Sequence, residues 1–454
     1  MALKILLVSV NRCDSPYLVY PLGLSHIAGA LVKAGHEIYI ADCAIDGQEL
    51  SGIVASFNPS HIGLSLRNID DIQIKNRNFF AQDLSLIAQK LRKITTAPII
   101  VGGSGYSLFP AELLEATGAD FGIRGEGDIS IVKLLYAMDR GEPYNQLPGL
   151  VYKKGDTVIV NPLEGMHSSD IVPAFRPKRI AQWYIEKSSI LNIQTQRGCS
   201  SLCCYCTYPV IEGRCVRTRN MRDVGDELCD IKNLGASYFF IVDSVFNSSV
   251  DHVGAFCEEI LSRNLAMTWG CFLKPSGLTQ ELMDLMARAG LRHIEFGSDS
   301  FCDSVLKEYG KNFTFEDIYN ASAYARNAKV NYAHFLIIGG PGETESTIRE
   351  GYENSKRLKK TVHFPFVGMR IYPETALHKR AIAENVIQKE TGLLQPLYYV
   401  SPLCTENRIF SILSEFSLQS KNWIIGEQPP EMIANANRLR SIGVVGPLWE
   451  FLVR

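Results

Sequence analysis

The sequence predicts an α/β protein made of two successive β/α arrays, an open parallel sheet followed by an incomplete parallel barrel. Three observations carry that reading. Short apolar runs alternate with amphipathic helical stretches along most of the chain. A proline-rich stretch (Pro143, Pro148, Pro162, Pro173, Pro177) splits the alternation in two. At 454 residues the chain is also too long for one core and calls for two or three domains.

Residues 1–140 place strands near 4–10, 37–42, 61–65, 99–102 and 120–123, with helices near 23–34, 80–94 and 129–137. The first of these runs is as apolar as a secretion signal, but no small-residue cleavage site follows, so it reads as a buried strand. Gly102-Gly103-Ser104-Gly105 follows a strand, where backbone can approach a ligand without a Cβ in the way, although tight turns need glycine too. Residues 141–185 read as a linker carrying a hairpin over 150–160. Residues 186–375 resume the alternation, with strands at 190–195, 238–242, 267–272, 293–297, 334–338 and 368–372 and helices including 280–289 and 315–328. Six such strands suit a partial (β/α)6 barrel with its chemistry at the strand C-terminal ends. Residues 376–454 form a small C-terminal region holding Tyr398, Tyr399, Cys404 and Trp423, for which packing is the default role.

A net charge of −2 gives no bulk attraction for nucleic acid or an anionic membrane, and no apolar run reaches the ~20 residues that span a bilayer. Twelve cysteines, four of them within Cys199–Cys206, argue against a disulfide scaffold and for a reducing cytoplasm.

The run Cys199-Ser200-Ser201-Leu202-Cys203-Cys204-Tyr205-Cys206 carries the chemistry. Its C-x3-C-x2-C thiols can hold three irons of a 4Fe–4S cluster and leave the fourth open to a ligand. Zinc and inert buried thiols are the alternatives. Zinc wants a fourth donor, for which only Cys204 or Cys215 lies near.

That run stands in a wider pattern. It follows Arg197-Gly198 and precedes Gly213-Arg214 with Arg217 and Arg219. Then come Phe240-Ile241-Val242-Asp243-Ser244-Val245-Phe246, Ala289 through Gly297, and Gly339-Gly340-Pro341-Gly342-Glu343-Thr344. In this order the motifs resemble the cobalamin-binding radical S-adenosylmethionine (radical SAM) enzymes, and among them those of methyltransferase type. The N-terminal part is similar to that family's Rossmann-like cobalamin module through Tyr20–Leu24, Gly35-His36-Glu37, Ile99–Gly103 and Arg124-Gly125-Glu126-Gly127-Asp128. The resemblance covers about residues 3–375.

The resemblance implies a 4Fe–4S cluster on Cys199, Cys203 and Cys206, with S-adenosylmethionine chelated at the open iron and cleaved reductively to a 5′-deoxyadenosyl radical. It implies S-adenosylmethionine contacts from Tyr205, from Arg217 or Arg219 to the carboxylate, and from Asp243, Asp299, Gly339, Gly340 and Gly342. Asp299 stands where the family has a glutamate, with Glu295 as its competitor. Ser65, Gly102, Gly103, Ser104 and Glu126 fall on the cobalamin side. No histidine follows the first strand; Asp42-Cys43-Ala44-Ile45-Asp46-Gly47 mimics the cobalt-ligand spacing only by coincidence. Arg67 is then expected below the corrin ring. The implied reaction is methylation of an unactivated carbon of a small molecule, with substrate entering between the domains. Ring contraction or cyclisation, and a non-catalytic iron–sulfur protein, are the alternatives. The expected partner is a flavodoxin- or ferredoxin-type electron donor, the expected state a monomer, and nucleic acid is not expected. The residues that catalyse by themselves stay unassigned.

Overall fold

The computed structural model describes residues 2–13, 17–75, 78–163, 171–426 and 430–452. Parts of the loop after the first strand and of the expected linker lie outside these. Seven strands build the first sheet: β1 (Lys4–Ser9), β2 (Glu37–Asp42), β3 (His61–Ser65), β4 (Ile99–Gly102), β5 (Phe121–Ile123), β6 (Leu150–Lys154) and β7 (Thr157–Val160). Their order is β2-β1-β3-β4-β5-β6-β7. The first five pair in parallel, and the hairpin β6–β7 continues the sheet antiparallel. The hairpin read as part of a linker is thus structural to the first domain, with Leu150 and Val151 buried in it.

The barrel follows with β8 (Leu191–Ile193), the short antiparallel pair β9 (Gln196–Arg197) and β10 (Arg217–Thr218), then β11 (Tyr238–Ile241), β12 (Thr268–Leu273), β13 (Leu291–Asp299), β14 (Asn331–Ile338) and β15 (Val362–Val367). Its six-stranded sheet is all parallel, in the order β15-β14-β13-β12-β11-β8. Intervening helices start at side-chain caps the sequence supplies: Ser249, Thr279, Thr314 and Thr344 each accept from an N–H of the first turn. Phe239, Phe256 and Trp269 pack between strands and helices, and the Trp269 indole donates to the Ala289 carbonyl at 2.8 Å.

One strand differs from expectation. The sixth barrel strand is β15, not residues 368–372; within the latter only β16 (Met369–Arg370) is extended, and it pairs with β17 (Tyr398–Tyr399). Pro365 made the true strand read poorly, because proline cannot donate to a ladder. It is tolerated here because β15 is the sheet edge.

The C-terminal region closes what the barrel leaves open. Trp423 bridges to His363 of β15. At the start of the barrel strands, the Trp449 indole donates to Glu295 Oε1 at 3.1 Å and Glu450 lies 2.9 Å from His293 Nε2. Among the described residues no helix is long and apolar enough to cross a membrane.

Candidate active site

The cysteine loop hangs from the C-terminal end of β8. Thr195 and Gln196, which lead into it, give their backbone N–H groups to Asp243 Oδ1 at 2.7 and 3.2 Å, and the Thr195 hydroxyl donates to the same carboxyl. Burial pushes Asp243 up to about 7. Its oxygens are spent on the strand that presents the loop, so Asp243 positions the site and has no oxygen turned to a cofactor. Gly198 adopts φ +92, and a Cβ there would sit 2.1 Å from the Cys215 carbonyl oxygen. Only glycine allows that crossing. The Gly198 N–H is held by Glu212 at 3.0 Å.

Cys199 is buried, Cys203 and Cys206 are half-buried, and all three thiols are free. Burial, with smaller contributions from Cys203 and Cys199, lifts Cys206 to about 12. The three thiols lie within one eight-residue loop. Among the described residues no three His, Cys, Asp or Glu side chains converge on one point, as ligands of a single zinc ion would. Thiolates that each take a separate iron need no such convergence. The donor set fits a cluster. Cys204 is turned away into the core shared with Leu377 and Tyr309, and Cys215 is exposed; neither joins the set.

Tyr205 donates its hydroxyl to Asp299 at 2.5 Å, and Lys311 forms an ion pair with the same carboxylate. Asp299 has φ +59 at a bulge in β13, which turns its carboxylate to the loop. Burial would lower Lys311, but Asp299 and Cys203 beside it hold it above its ordinary value. The segment carrying Lys311 also pins the loop, since Cys204 donates to the Tyr309 carbonyl at 2.9 Å. Sequence reasoning missed Lys311 and Tyr309. They sit about 100 residues from the cysteines, and no spacing rule connects them.

The Gly339-Gly340-Pro341-Gly342 turn ends β14. Its Gly340 N–H reaches Glu343 Oε2 at 3.2 Å, the Gly339 N–H reaches the same oxygen, and the Tyr309 hydroxyl donates to it at 2.9 Å. A Cβ on Gly340 would meet that hydroxyl at 2.4 Å. Glu343, lifted to about 7 by burial, is thus the buckle of the turn. Glycine is required at 340 by Tyr309 itself.

Two expected cofactor contacts are engaged elsewhere. Arg217 donates to Glu126 Oε2 at 2.9 Å and makes a second bond to Oε1; Arg197 reaches Glu126 at 3.2 Å and Asp128 at 3.0 Å. The two residues assigned to different cofactors pair with each other across the domains. Arg219 is 2.6 Å from Glu227, which also takes Arg176 at 2.6 Å; all three side chains are at most 3% exposed. Burial would raise Glu227, but the two guanidiniums hold it at about 2. Arg219 belongs to this packing triad.

On the N-terminal side the strand ends β3 and β4 face the barrel, and the loop after β3 meets it through the buried pair Asp70–Arg370 at 2.9 Å. Gly103 (φ +104) and Gly105 let the 102–105 loop pack on this same loop: a Cβ would lie 2.4 Å from the Leu66 oxygen and 3.0 Å from the Arg67 oxygen respectively. Ser104 donates to the Arg67 carbonyl at 2.8 Å, and the β3 end, Ser65, abuts Gly102 in register. These glycines answer a close approach of backbone to backbone. Arg67 itself is half-buried with Nε unpaired and no carboxylate bonded. It faces Cys13, Tyr184, Asp42 and Tyr17, and burial lowers its pKa. Its Nη1 donates to the Val19 carbonyl at 3.4 Å while Nε stays unpaired, which leaves a donor that a bound group could complete. The Asp42–Gly47 segment is structural, as expected: Asp42 caps the helix Cys43–Asp46 and takes the Tyr184 hydroxyl at 2.8 Å.

Comparison with known proteins agrees with this division. Residues 193–353 match the radical SAM superfamily and residues 8–135 match the B12 binding domain. The tryptophan 2-C-methyltransferase of Streptomyces laurentii is 23% identical over 84% of this chain and 74% of its own. The cytidylyl-2-hydroxyethylphosphonate methyltransferase of Streptomyces wedmorensis is 23% identical over 87% of this chain and 84% of its own. The solved structure of the radical S-adenosylmethionine methyltransferase TsrM from Kitasatospora setae, with cobalamin and a 4Fe–4S cluster bound, superposes with TM-score 0.86 at 22% identity, covering 100% of this chain and 97% of that one. The chain belongs to the cobalamin-binding radical SAM enzymes.

Proposed function

We propose that the protein is a methyltransferase that moves a methyl group to a carbon of a small molecule held between its two domains. The observation that carries this is two sites brought together in one chain: three free thiols on the loop after β8, and the Arg67 loop after β3, which meets the barrel through the buried pair Asp70–Arg370. Two relatives named as methyltransferases span most of the chain and support the reading. When bound, the cluster with S-adenosylmethionine supplies one-electron cleavage and the corrin supplies a methyl carrier.

The chain's own residues do the positioning. Cys199, Cys203 and Cys206 hold the cluster. Tyr205, Asp299 and Lys311, bonded to one another beside the cysteine loop, would adjoin the cluster, where Lys311 could offer a cation to a carboxylate and Asp299 an acceptor to a hydroxyl. Gly339, Gly340 and Gly342 let the turn after β14 pack against Ile409, Tyr309 and Glu308, where a Cβ would clash. Arg67, in a loop without histidine, would adjoin a bound corrin and could keep water from it. Ser65 and the Gly102–Ser104 loop shape the wall for its nucleotide tail. Glu126 and Arg217 lock the two halves in register. Electrons come from a flavodoxin- or ferredoxin-type donor.

Anaerobic reconstitution with cobalamin and methyl-labelled S-adenosylmethionine tests the reading. Label on cobalt, then on a supplied acceptor, is expected; failure of the chain to retain any corrin would overturn it.

A further inference from the structure

The fold delivers one buried cation to the cysteine loop. Tyr309 is held from behind, where its hydroxyl donates to Glu343 Oε2 at 2.9 Å and lies 3.0 Å from the Ile337 carbonyl oxygen. Its own carbonyl takes the Cys204 N–H at 2.9 Å. Gly310 follows with φ +77, and a Cβ there would sit 2.4 Å from the Leu202 carbonyl oxygen and 3.6 Å from the Cys203 Cα. Glycine at 310 thus lets this turn lie flat on the cysteine loop. The next residue is Lys311, whose side chain is 8% exposed. Its ammonium pairs with Asp299 and donates at 3.3 Å to the hydroxyl oxygen of Tyr205, the residue just before Cys206.

Other cations near the loop are spent or screened. Arg197 and Arg217 pair with Glu126, and Arg197 also with Asp128. Arg214 donates to the Ser201 carbonyl at 3.3 Å but is exposed, where water and salt damp its field. Lys311 and Asp299 are both buried, so neither charge is damped in that way. A pair balanced about the thiols would leave no net field on them, and this one is not balanced. Burial pushes the Cys203 thiol up; Lys311 draws it down, and Asp299 raises it by less than Lys311 lowers it. Lys311 acts in the same downward sense on Cys206. At Cys203 the positive end of the pair outweighs the negative one.

We infer that Lys311 sets the reduction potential of the cluster held by Cys199, Cys203 and Cys206, raising it toward the reach of an external one-electron donor. The potential of an iron–sulfur cluster follows its net charge, the hydrogen bonds to its sulfurs and its exposure to solvent. On reduction the cluster gains one electron and one negative charge, with no bond made or broken. A cation fixed beside it therefore favours the reduced form, and burial keeps water from damping the effect. Lys311 acts here through its field on the cluster ligands, and Gly310 and Tyr309 position it. The inference rests on the radical SAM reading. It is separate from any contact between Lys311 and a cofactor carboxylate, because it holds for the cluster alone.

The test is a potentiometric titration of the full chain, reconstituted with its cluster, using titanium(III) citrate as reductant and the EPR signal of the reduced cluster as readout. S-adenosylmethionine is left out, so a lost cofactor contact cannot imitate the effect. Lys311→Met should move the reduction equilibrium toward the oxidised cluster by about tenfold or more, a fall of about 59 mV or more for a one-electron couple. Lys311→Arg keeps the charge and should stay nearer the wild type than Lys311→Met does. A merely structural role would change how much cluster is loaded without ordering the potentials by charge. A smaller shift in Lys311→Met, a shift in the other direction, or a Lys311→Arg potential as low as that of Lys311→Met overturns the inference. Should Lys311→Met fail to load a cluster, Asp299→Asn is read in its place. It removes the opposing charge and should raise the potential; no rise overturns the inference. Failure of the wild-type chain to take up a 4Fe–4S cluster would instead sink the functional reading, and is seen in the absorption spectrum before the titration begins.

Discussion

The pairing of Glu126 with Arg217 makes a stability claim that can be separated from any role in cofactor binding. Glu126 is 15% exposed in its side chain and Arg217 6%, and the guanidinium meets both carboxylate oxygens. Glu126→Gln removes one negative charge and one of the paired acceptors. Arg197 keeps Asp128 at 3.0 Å, so the loss falls on Arg217, whose remaining partner is the Glu212 carbonyl at 2.8 Å. Breaking one side of a buried pair costs about 3–5 kcal/mol, and the retained amide acceptor favours about 3. At the slope of about 2 °C per kcal/mol for larger domains, Tm should drop by roughly 6 °C. The assay is thermal unfolding by circular dichroism at fixed scan rate, run as a cycle with Arg217→Gln and the double variant. The double variant should lie above the sum of the singles by more than about 1 kcal/mol, because no charge is then left alone. A Tm within 1 °C of wild type for Glu126→Gln would refute the clamp. If Arg217→Gln abolished S-adenosylmethionine binding without changing Tm, the residue would be a cofactor ligand after all.

Further outcomes follow from the same geometry. Cys203→Ala should lose the 4Fe–4S signal on reconstitution while Cys204→Ser and Cys215→Ser keep it; loss of the cluster in Cys204→Ser would redraw the ligand set. Arg67→Ala should let water reach the lower face of bound cobalamin, visible in the corrin absorption spectrum, and an unchanged spectrum counts against its placement. Glu343, lifted to about 7 by burial, keeps a proton in the fold that an unfolded carboxyl has already lost. Its contribution to stability is whole below the ordinary carboxylate range and is lost as pH rises toward 7, by up to about 1.4 kcal/mol per pH unit. Glu343→Gln should therefore flatten the decline in stability between pH 5 and 7; an equal slope in both proteins would show that the carboxyl is not protonated there.

What could be read from the sequence was what local rules constrain. The parallel strands were legible as apolar runs, and β2, β3 and β4 fall where the pattern put them. The cysteine loop was legible because its three thiols lie within eight residues. The sixth strand was missed because Pro365 breaks the local rule, and only the global fact that β15 is an edge makes it harmless. Glu126 and Arg217 are 91 residues apart. Each alone looks like a cofactor contact, since a charged residue beside a functional motif invites that reading, and nothing in either segment announces the other.

The glycines make the same point more sharply. Gly103 was singled out correctly as a place where backbone comes close, but what comes close is Leu66 of the same domain. Gly340 is required by the Tyr309 hydroxyl, and Gly198 by the crossing of Cys215. A glycine in a motif records that a Cβ is forbidden without recording what forbids it. Gly297 is the converse case. It closes the Ala289–Gly297 motif, yet a Cβ built on it meets nothing within 4 Å. Gly213 is open in the same way, so an empty Cβ position, like a forbidden one, does not by itself say what a motif glycine serves.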